Sequence, residues 1–326
     1  MSPGTVGREL WRQLPRRLRS FVYRTSNWTG LPFVISYAAG YGERHALRHF
    51  AGVVPALRDA YANAHGAERE RLARQFDGIL RGLVLPNGVS KATYAKRQNI
   101  VLEGVLADPA CGLGTGALRV LDVPASSGIA SLDSFRLLNR FYQVRRYVLG
   151  DLSFQVLYDP DRECVFDEAG RLLQVRRGDR FFSMHRVHAH GSDVSALTRL
   201  LLLPLTARAR DLERRYRFDD ARTLVPISLV HPEVETILGN GVAGVERVDV
   251  FERVPGTYDL ILCFNLLQRN YFPPEWIARG TANLAAALCE GGLLITGSPD
   301  ANGSSGYRVA RKQGGALVTV KQEGRP

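Results

Sequence analysis

The sequence predicts an α/β fold: a mostly parallel sheet with helices on both faces. Two observations carry this expectation. From Leu118 onward, short apolar runs alternate with segments of helical periodicity, the rhythm of strand–helix–strand units. One of those runs, "DLILCF" (259–264), is continuously apolar after its aspartate, as a strand buried on both faces should be. At 326 residues, with 45% hydrophobic and 23% charged residues, the chain can bury a sizeable core and is not disordered by composition.

The elements follow in order. Residues 1–92 read as a mainly helical region, with "AERERLARQFDGILRGLVL" (67–85) as its clearest helix. "PNGVS" (86–90) breaks that pattern, and Ser90 is placed to cap a next helix over "KATYAKRQNIVLEGVLA" (91–107). "DPACGLGTG" (108–116) is a loop. Residues 93–326 then form the sheet domain. "LRVLDV" is its first strand, "SLDSFRLLNRFY" a helix, and "RRYVLGDLS" its second strand. "RTLVPISLV" (222–230), "VERVDVF" (245–251) and "YDLILCFN" (258–265) are further strands. A helix over 274–289 and the strand "GGLLITG" (291–297) complete the expected set. Between about 152 and 221 the alternation stops, which marks an inserted α+β segment. It holds a hairpin turning at Glu168-Ala169-Gly170 and a helical pair or kinked helix around Pro204.

A net charge of +11 and a pI near 9.8 favour acidic partners. No zinc finger, RNA-binding aromatic motif or helix-turn-helix is legible, so nucleic acid is not the expected partner. No run approaches the ~20 apolar residues needed to span a bilayer. Peripheral membrane contact through the arginine-rich insertion stays open. Cys111, Cys164, Cys263 and Cys289 lie far apart, in neither a disulfide framework nor a zinc spacing. A reducing, cytoplasmic setting is expected.

In an open parallel sheet, ligands bind beyond the carboxyl ends of the strands at the topological switch point. "RVLDVPASSGIAS" (119–131) puts Asp122 at such an end, followed by a turn of small residues and a helix starting near Ser131. A helix start offers free N–H groups, and small residues admit close approach. Asp151 ends the second strand, where a carboxylate can accept both hydroxyls of a ribose. Asp249 in "RVDVFE" is placed for an adenine amino group.

The order strand–Asp–turn, strand–Asp, "DVFE", then "YDLILCFNLLQRNYF…LAAALCEGGLLITG" resembles class I S-adenosylmethionine-dependent methyltransferases. Its last segment is similar to the chemotaxis-receptor branch, which carries a like Tyr/Phe-Asp-Leu-Ile-x-Cys-x-Asn-x-Leu strand with Tyr-Phe after it. The likeness covers about 93–151 and 222–312 and implies a Rossmann-like sheet with S-adenosylmethionine as cofactor. Asp122, Asp151 and Asp249 are then cofactor-binding residues, joined by Leu152, Val250 and Asn265. Arg97 and Tyr94 are candidates for the cofactor carboxylate, with a solvated helix face as the plainer reading. The turn departs from the family's Gly-x-Gly-x-Gly, having Pro124, Ser126 and Gly128 instead. A dinucleotide reading suffers more from this, because pyrophosphate needs the close approach those glycines give.

No catalytic residue is fixed by spacing. His231 is a candidate general base or a cap, Tyr271 is a second catalytic candidate, and Tyr271 and Phe272 are candidates for an acceptor pocket or for core. His185, His188 and His190 cluster without implying a metal. The expected activity is methyl transfer to an oxygen or nitrogen of an acceptor, acidic in one version, with the insertion and N-terminal helices on the acceptor side. The alternatives are a cofactor-binding module without transferase activity, or a basic membrane- or partner-binding regulatory protein.

Overall fold

The computed structural model describes residues 50–81, 83, 85, 91, 98–114, 116–177, 180–184, 196–218, 223–269, 271–297 and 306–324. Two compact units divide the chain. One comprises Leu57–Leu80, Lys91–Gln155 and Ser228–Pro326; the other comprises Val156–Ile227 with Met1–Ala56 and Arg81–Ser90.

Helices α1 (Phe50–Asn63) and α2 (Gly66–Arg81) come first among the described residues, and the first unit holds the expected Rossmann-like sheet. Its strands are β1 (Leu118–Asp122), β2 (Val144–Asp151), β8 (Ala243–Arg247), β9 (Tyr258–Phe264), β10 (Leu288–Gly297), β11 (Tyr307–Gln313) and β12 (Ala316–Glu323). They lie in the order β12-β11-β10-β9-β1-β2-β8. The five from β10 to β8 are parallel, while β11 and β12 return antiparallel. From β1 the chain steps to β2 and β8 on one side and later to β9 and β10 on the other. The order therefore reverses between β1 and β9, which is the switch point of such a sheet.

Alternation along each strand divides the core in two. Val120, Tyr147, Leu149, Leu260, Leu262, Leu293 and Ile295 face one way. There they meet helices α3 (Asn99–Leu106), α4 (Ile129–Phe141) and α6 (Pro232–Leu238) through Leu102, Leu132, Leu138 and Val234. Leu121, Val148, Ile261, Cys263 and Leu294 face the other way, onto Leu284 and Ala287 of α7 (Pro274–Ala287). Helices on both faces are thus present, and each face buries apolar side chains that water would otherwise surround.

Several boundaries differ from expectation for local reasons. The helix expected over 91–107 is described only as α3; residues 92–97, with Tyr94 and Arg97, lie outside the described residues. The strand expected over 245–251 stops at Arg247. Asp249 accepts the Phe251 N–H at 2.9 Å and its carbonyl takes the Glu252 N–H at 3.1 Å, so the chain turns there. Helix α4 begins at Ile129, two residues before Ser131, because Gly128 (φ 81°) supplies a left-handed cap.

The second unit carries β3 (Gln155–Asp159), β4 (Cys164–Phe166), β5 (Leu172–Arg177), β6 (Arg180–Ser183) and β7 (Val225–Ser228), ordered β6-β5-β4-β3-β7. The β4–β5 hairpin turns where expected, with Gly170 at φ 77°. Pro204 does not split the helix that follows: α5 runs unbroken from Ala196 to Phe218. Its Ala209 and Leu212 pack onto Phe166, Leu172 and Val175. The clustered His185, His188 and His190 lie outside the described residues. All four cysteines are free thiols. No described helix is long and apolar enough to cross a membrane.

Candidate functional site

Parallel pairing brings the carboxyl ends of β9, β1, β2 and β8 side by side, and the expected acidic residues with them. Asp122 ends β1 and Asp151 ends β2. Asp249 stands two residues past β8, and Asn265 one residue past β9 in a left-handed conformation (φ 59°). The turn after β1 crosses this edge: Val123 N–H bonds Leu262 O at 2.9 Å, and Ala125 N–H bonds Gly150 O at 2.8 Å.

Asp122 is fully buried, and Tyr147 Oη donates to its Oδ2 at 3.0 Å. Burial pushes its carboxyl up to about 6, against the pull of neighbouring Ser131, Tyr147 and Gln98. Ser134 Oγ donates to Gln98 Oε1 at 2.9 Å, so α3 and α4 both contribute to this buried polar layer. Among the described residues, Asp122 Oδ1, Ser127 Oγ and Ser131 Oγ are buried and make no hydrogen bond of good geometry. Ser131 lies near enough to Asp122 to pull on its carboxyl, so these oxygens are spare hydrogen-bonding capacity for a polar ligand group or an ordered water.

Asp151 is engaged differently. Lys91 Nζ donates to Oδ1 and, at 2.7 Å, to Ser153 O. Ser126 N–H donates to Oδ2 at 2.7 Å, and Ser153 N–H to Oδ1 at 3.3 Å. Ser126 reaches this bond with φ 57°, a left-handed conformation unusual for serine. Serine's N–H is thus spent on the carboxylate of the neighbouring strand, and Pro124 has no N–H to offer. Leu152 is half-buried, and its carbonyl accepts from Arg247 Nε at 3.3 Å. Val250 is buried in the core face that α7 covers.

Gly128 has a packing role. A Cβ there would lie 2.7 Å from Leu149 Cδ2 and 3.1 Å from Val234 Cγ1, so its place is between β2 and α6. His231 is the N-cap of α6: its Nδ1 accepts the Glu233 N–H at 3.1 Å. It is fully buried, edge-on to Phe76 at 5.2 Å and Tyr61 at 6.0 Å, and burial pushes its pKa down to about 4. The capping alternative therefore describes it, and a neutral, water-excluded imidazole is poorly placed for proton exchange. Tyr271 is 46% exposed, while Phe272 packs against Phe251 at 4.7 Å. Burial pushes the Cys263 thiol up to about 12, with the nearby Asp122 charge adding to it, so this thiol is inert. A cavity of about 430 Å³ lined by Arg119, Arg145, Arg146 and Glu246 opens at the amino ends of the strands, away from the aspartates.

Sequence reasoning missed Lys91, Gln98 and Tyr147. Tyr147 could have been found as the inward-facing residue of a strand next to a buried aspartate. Lys91 carried no signal, because its partner lies sixty positions away.

No protein-family model matches the chain, and no curated protein matches it. Solved structures that resemble it include the CMeT domain of the citrinin polyketide synthase, at 15% identity and a TM-score of 0.25, covering 57% of this chain and 30% of that one. An O-methyltransferase family protein from Burkholderia thailandensis matches at 12% identity and a TM-score of 0.31, covering 73% and 42%. The S-adenosylmethionine-bound amino pentose methyltransferase CalS10 from Micromonospora echinaspora matches at 13% and 0.29, covering 77% and 71%. The match spans under half the length of the first two. At such TM-scores the likeness carries no argument, and the fold stands on the chain's own strand order. Nothing among these neighbours supports the chemotaxis-receptor branch.

Proposed function

We propose that the chain is an S-adenosylmethionine-dependent methyltransferase acting on an oxygen or nitrogen of its acceptor. The observation that supports this best is the row of Asp122, Asp151, Asp249 and Asn265 at the carboxyl ends of four adjacent strands, at the switch point. The cofactor, when bound, supplies an electrophilic methyl group on a sulfonium.

The chain's residues bind and orient. Asp122, whose Oδ1 makes no hydrogen bond of good geometry and whose carboxyl has Ser131 as a neighbour, suits the ammonium of an amino-acid moiety. A cation there would favour the ionised carboxylate over the protonated one that burial promotes. Asp151 suits a ribose diol, and Asp249 and Asn265 suit the base edge. With His231 committed to its cap, the catalysis proposed is alignment of donor and acceptor, which by itself supplies several kcal/mol (about 7–11 in well-oriented systems).

Calorimetry with S-adenosylmethionine and S-adenosylhomocysteine tests this. Micromolar binding (about −8 kcal/mol) is expected, weakened at least tenfold by Asp122→Asn in a folded protein. Heat from NAD and none from either sulfur compound would replace the methyltransferase reading with a dinucleotide one.

A further inference from the structure

The carboxylate assigned above to the cofactor ribose is already bonded within the chain. Asp151 is 4% exposed and its partner Lys91 is 3% exposed. Lys91 Nζ holds Asp151 Oδ1 and the Ser153 carbonyl, and Ser126 N–H holds Oδ2. The backbone of Lys91 is tied to the same turn, because Ser126 Oγ donates to Lys91 O at 3.0 Å. A ribose diol needs the acceptor positions that the ammonium occupies.

We propose that Lys91 is the resident occupant of the ribose subsite, its ammonium holding the diol's place on Asp151 and leaving when the cofactor binds. This rests on the cofactor reading above and adds an affinity-setting residue to it. The exchange is chemically balanced. Ammonium and hydroxyls are both donors, so Asp151 passes from one set to the other without standing unpaired, while Ser126 and Ser153 N–H keep it oriented. The departing ammonium is a compact charge on a flexible stem, strongly favoured by water.

An arginine fork would hold a carboxylate in two places and release it less readily. That contrast matters in this chain: of its 43 basic residues only Lys91, Lys96, Lys312 and Lys321 are lysines. Competition of this kind lowers apparent affinity by the fraction of molecules in which Lys91 is withdrawn. Withdrawal in roughly one molecule in ten weakens binding about tenfold.

Two measurements test the exchange. In the first, S-adenosylhomocysteine is titrated calorimetrically into wild type and Lys91→Met, with tenfold or tighter binding expected for the variant. The second needs no variant: intact protein is acetylated with and without saturating S-adenosylhomocysteine and its lysines are resolved by peptide mass. Lys91 should label slowly alone and at least threefold faster with the compound, while Lys312 keeps its rate. Binding that leaves Lys91 labelling unchanged overturns the proposal. So does a folded Lys91→Met protein that binds no tighter than wild type. If neither protein binds the compound at all, the cofactor reading itself falls, and the Lys91 proposal with it.

Discussion

Two buried groups, Asp122 and His231, pull acid stability in opposite directions. Asp122 has its pKa raised to about 6 in the fold by burial, so its contribution is most favourable below the ordinary value of 3.8. That contribution is lost as pH rises from 3.8 towards 6, a cost of about 3 kcal/mol above that window. His231 is depressed from 6.5 to about 4, so the fold binds fewer protons than the unfolded chain between those values. Its stability is full above 6.5 and falls by about 3 kcal/mol as pH drops through 4. The two slopes largely cancel in wild type. Asp122→Asn keeps an acceptor for Tyr147, and should gain up to about 3 kcal/mol over wild type at pH 7 and little at pH 4 in urea unfolding. His231→Asn keeps a good cap and should show the reverse trend, its deficit against wild type shrinking as pH falls. A pH-independent difference for either variant would contradict the burial described. Asp122 and Asp151 were legible in the sequence because each ends an apolar run. Their environments were not, because a carboxylate's burial and its partner depend on residues far along the chain.

Among the elements, "DLILCF" was read correctly as β9, since burial on both faces leaves it no polar period to confuse, whereas "RTLVPISLV", expected in the main sheet, forms only Val225–Ser228 and pairs in the five-stranded sheet. The antiparallel pair β11 and β12 is absent from the expected set, although Gly314-Gly315 between them (φ 59° and 80°) is a hairpin signal. Helix α5 overrode Pro204, with Ala209 and Leu212 packed on its sheet. Ala209 and Leu212 are buried on this helix, while Leu203 is 56% exposed and Arg208 and Arg210 are exposed as well. Reversing both to glutamate should leave stability within about 0.5 kcal/mol. S-adenosylhomocysteine affinity should also be unchanged, because none of the cofactor residues lies in that unit. At the turn before α4, Gly128→Ala faces a left-handed φ and a 2.7 Å contact with Leu149. Strain and overpacking together should cost about 2–4 kcal/mol by chemical denaturation. A loss below 1 kcal/mol would mean the turn can relax away from β2.

For the whole molecule, ligand binding and stability are one equilibrium. S-adenosylhomocysteine at a hundred times its Kd should add about 2.7 kcal/mol. At one fixed concentration Lys91→Met should gain more than wild type, which differential scanning calorimetry can read. The switch point between β1 and β9 has a further consequence, in folding kinetics. β9 through β12 are consecutive in sequence and pair with near neighbours, and β1 pairs with β2 across a single helix. Among the described strands, the β1–β9 seam is the pairing that joins these two parts of the sheet, with Leu121 opposite Ile261. Closing so long a loop is entropically slow compared with local pairing. The amides of β10 to β12 should therefore gain protection from pulsed hydrogen exchange before that of Val123, whose bond to Leu262 O closes the seam. The same seam bears Asp122 and Asn265, so the last joint to set during folding is the one on which the ligand row depends.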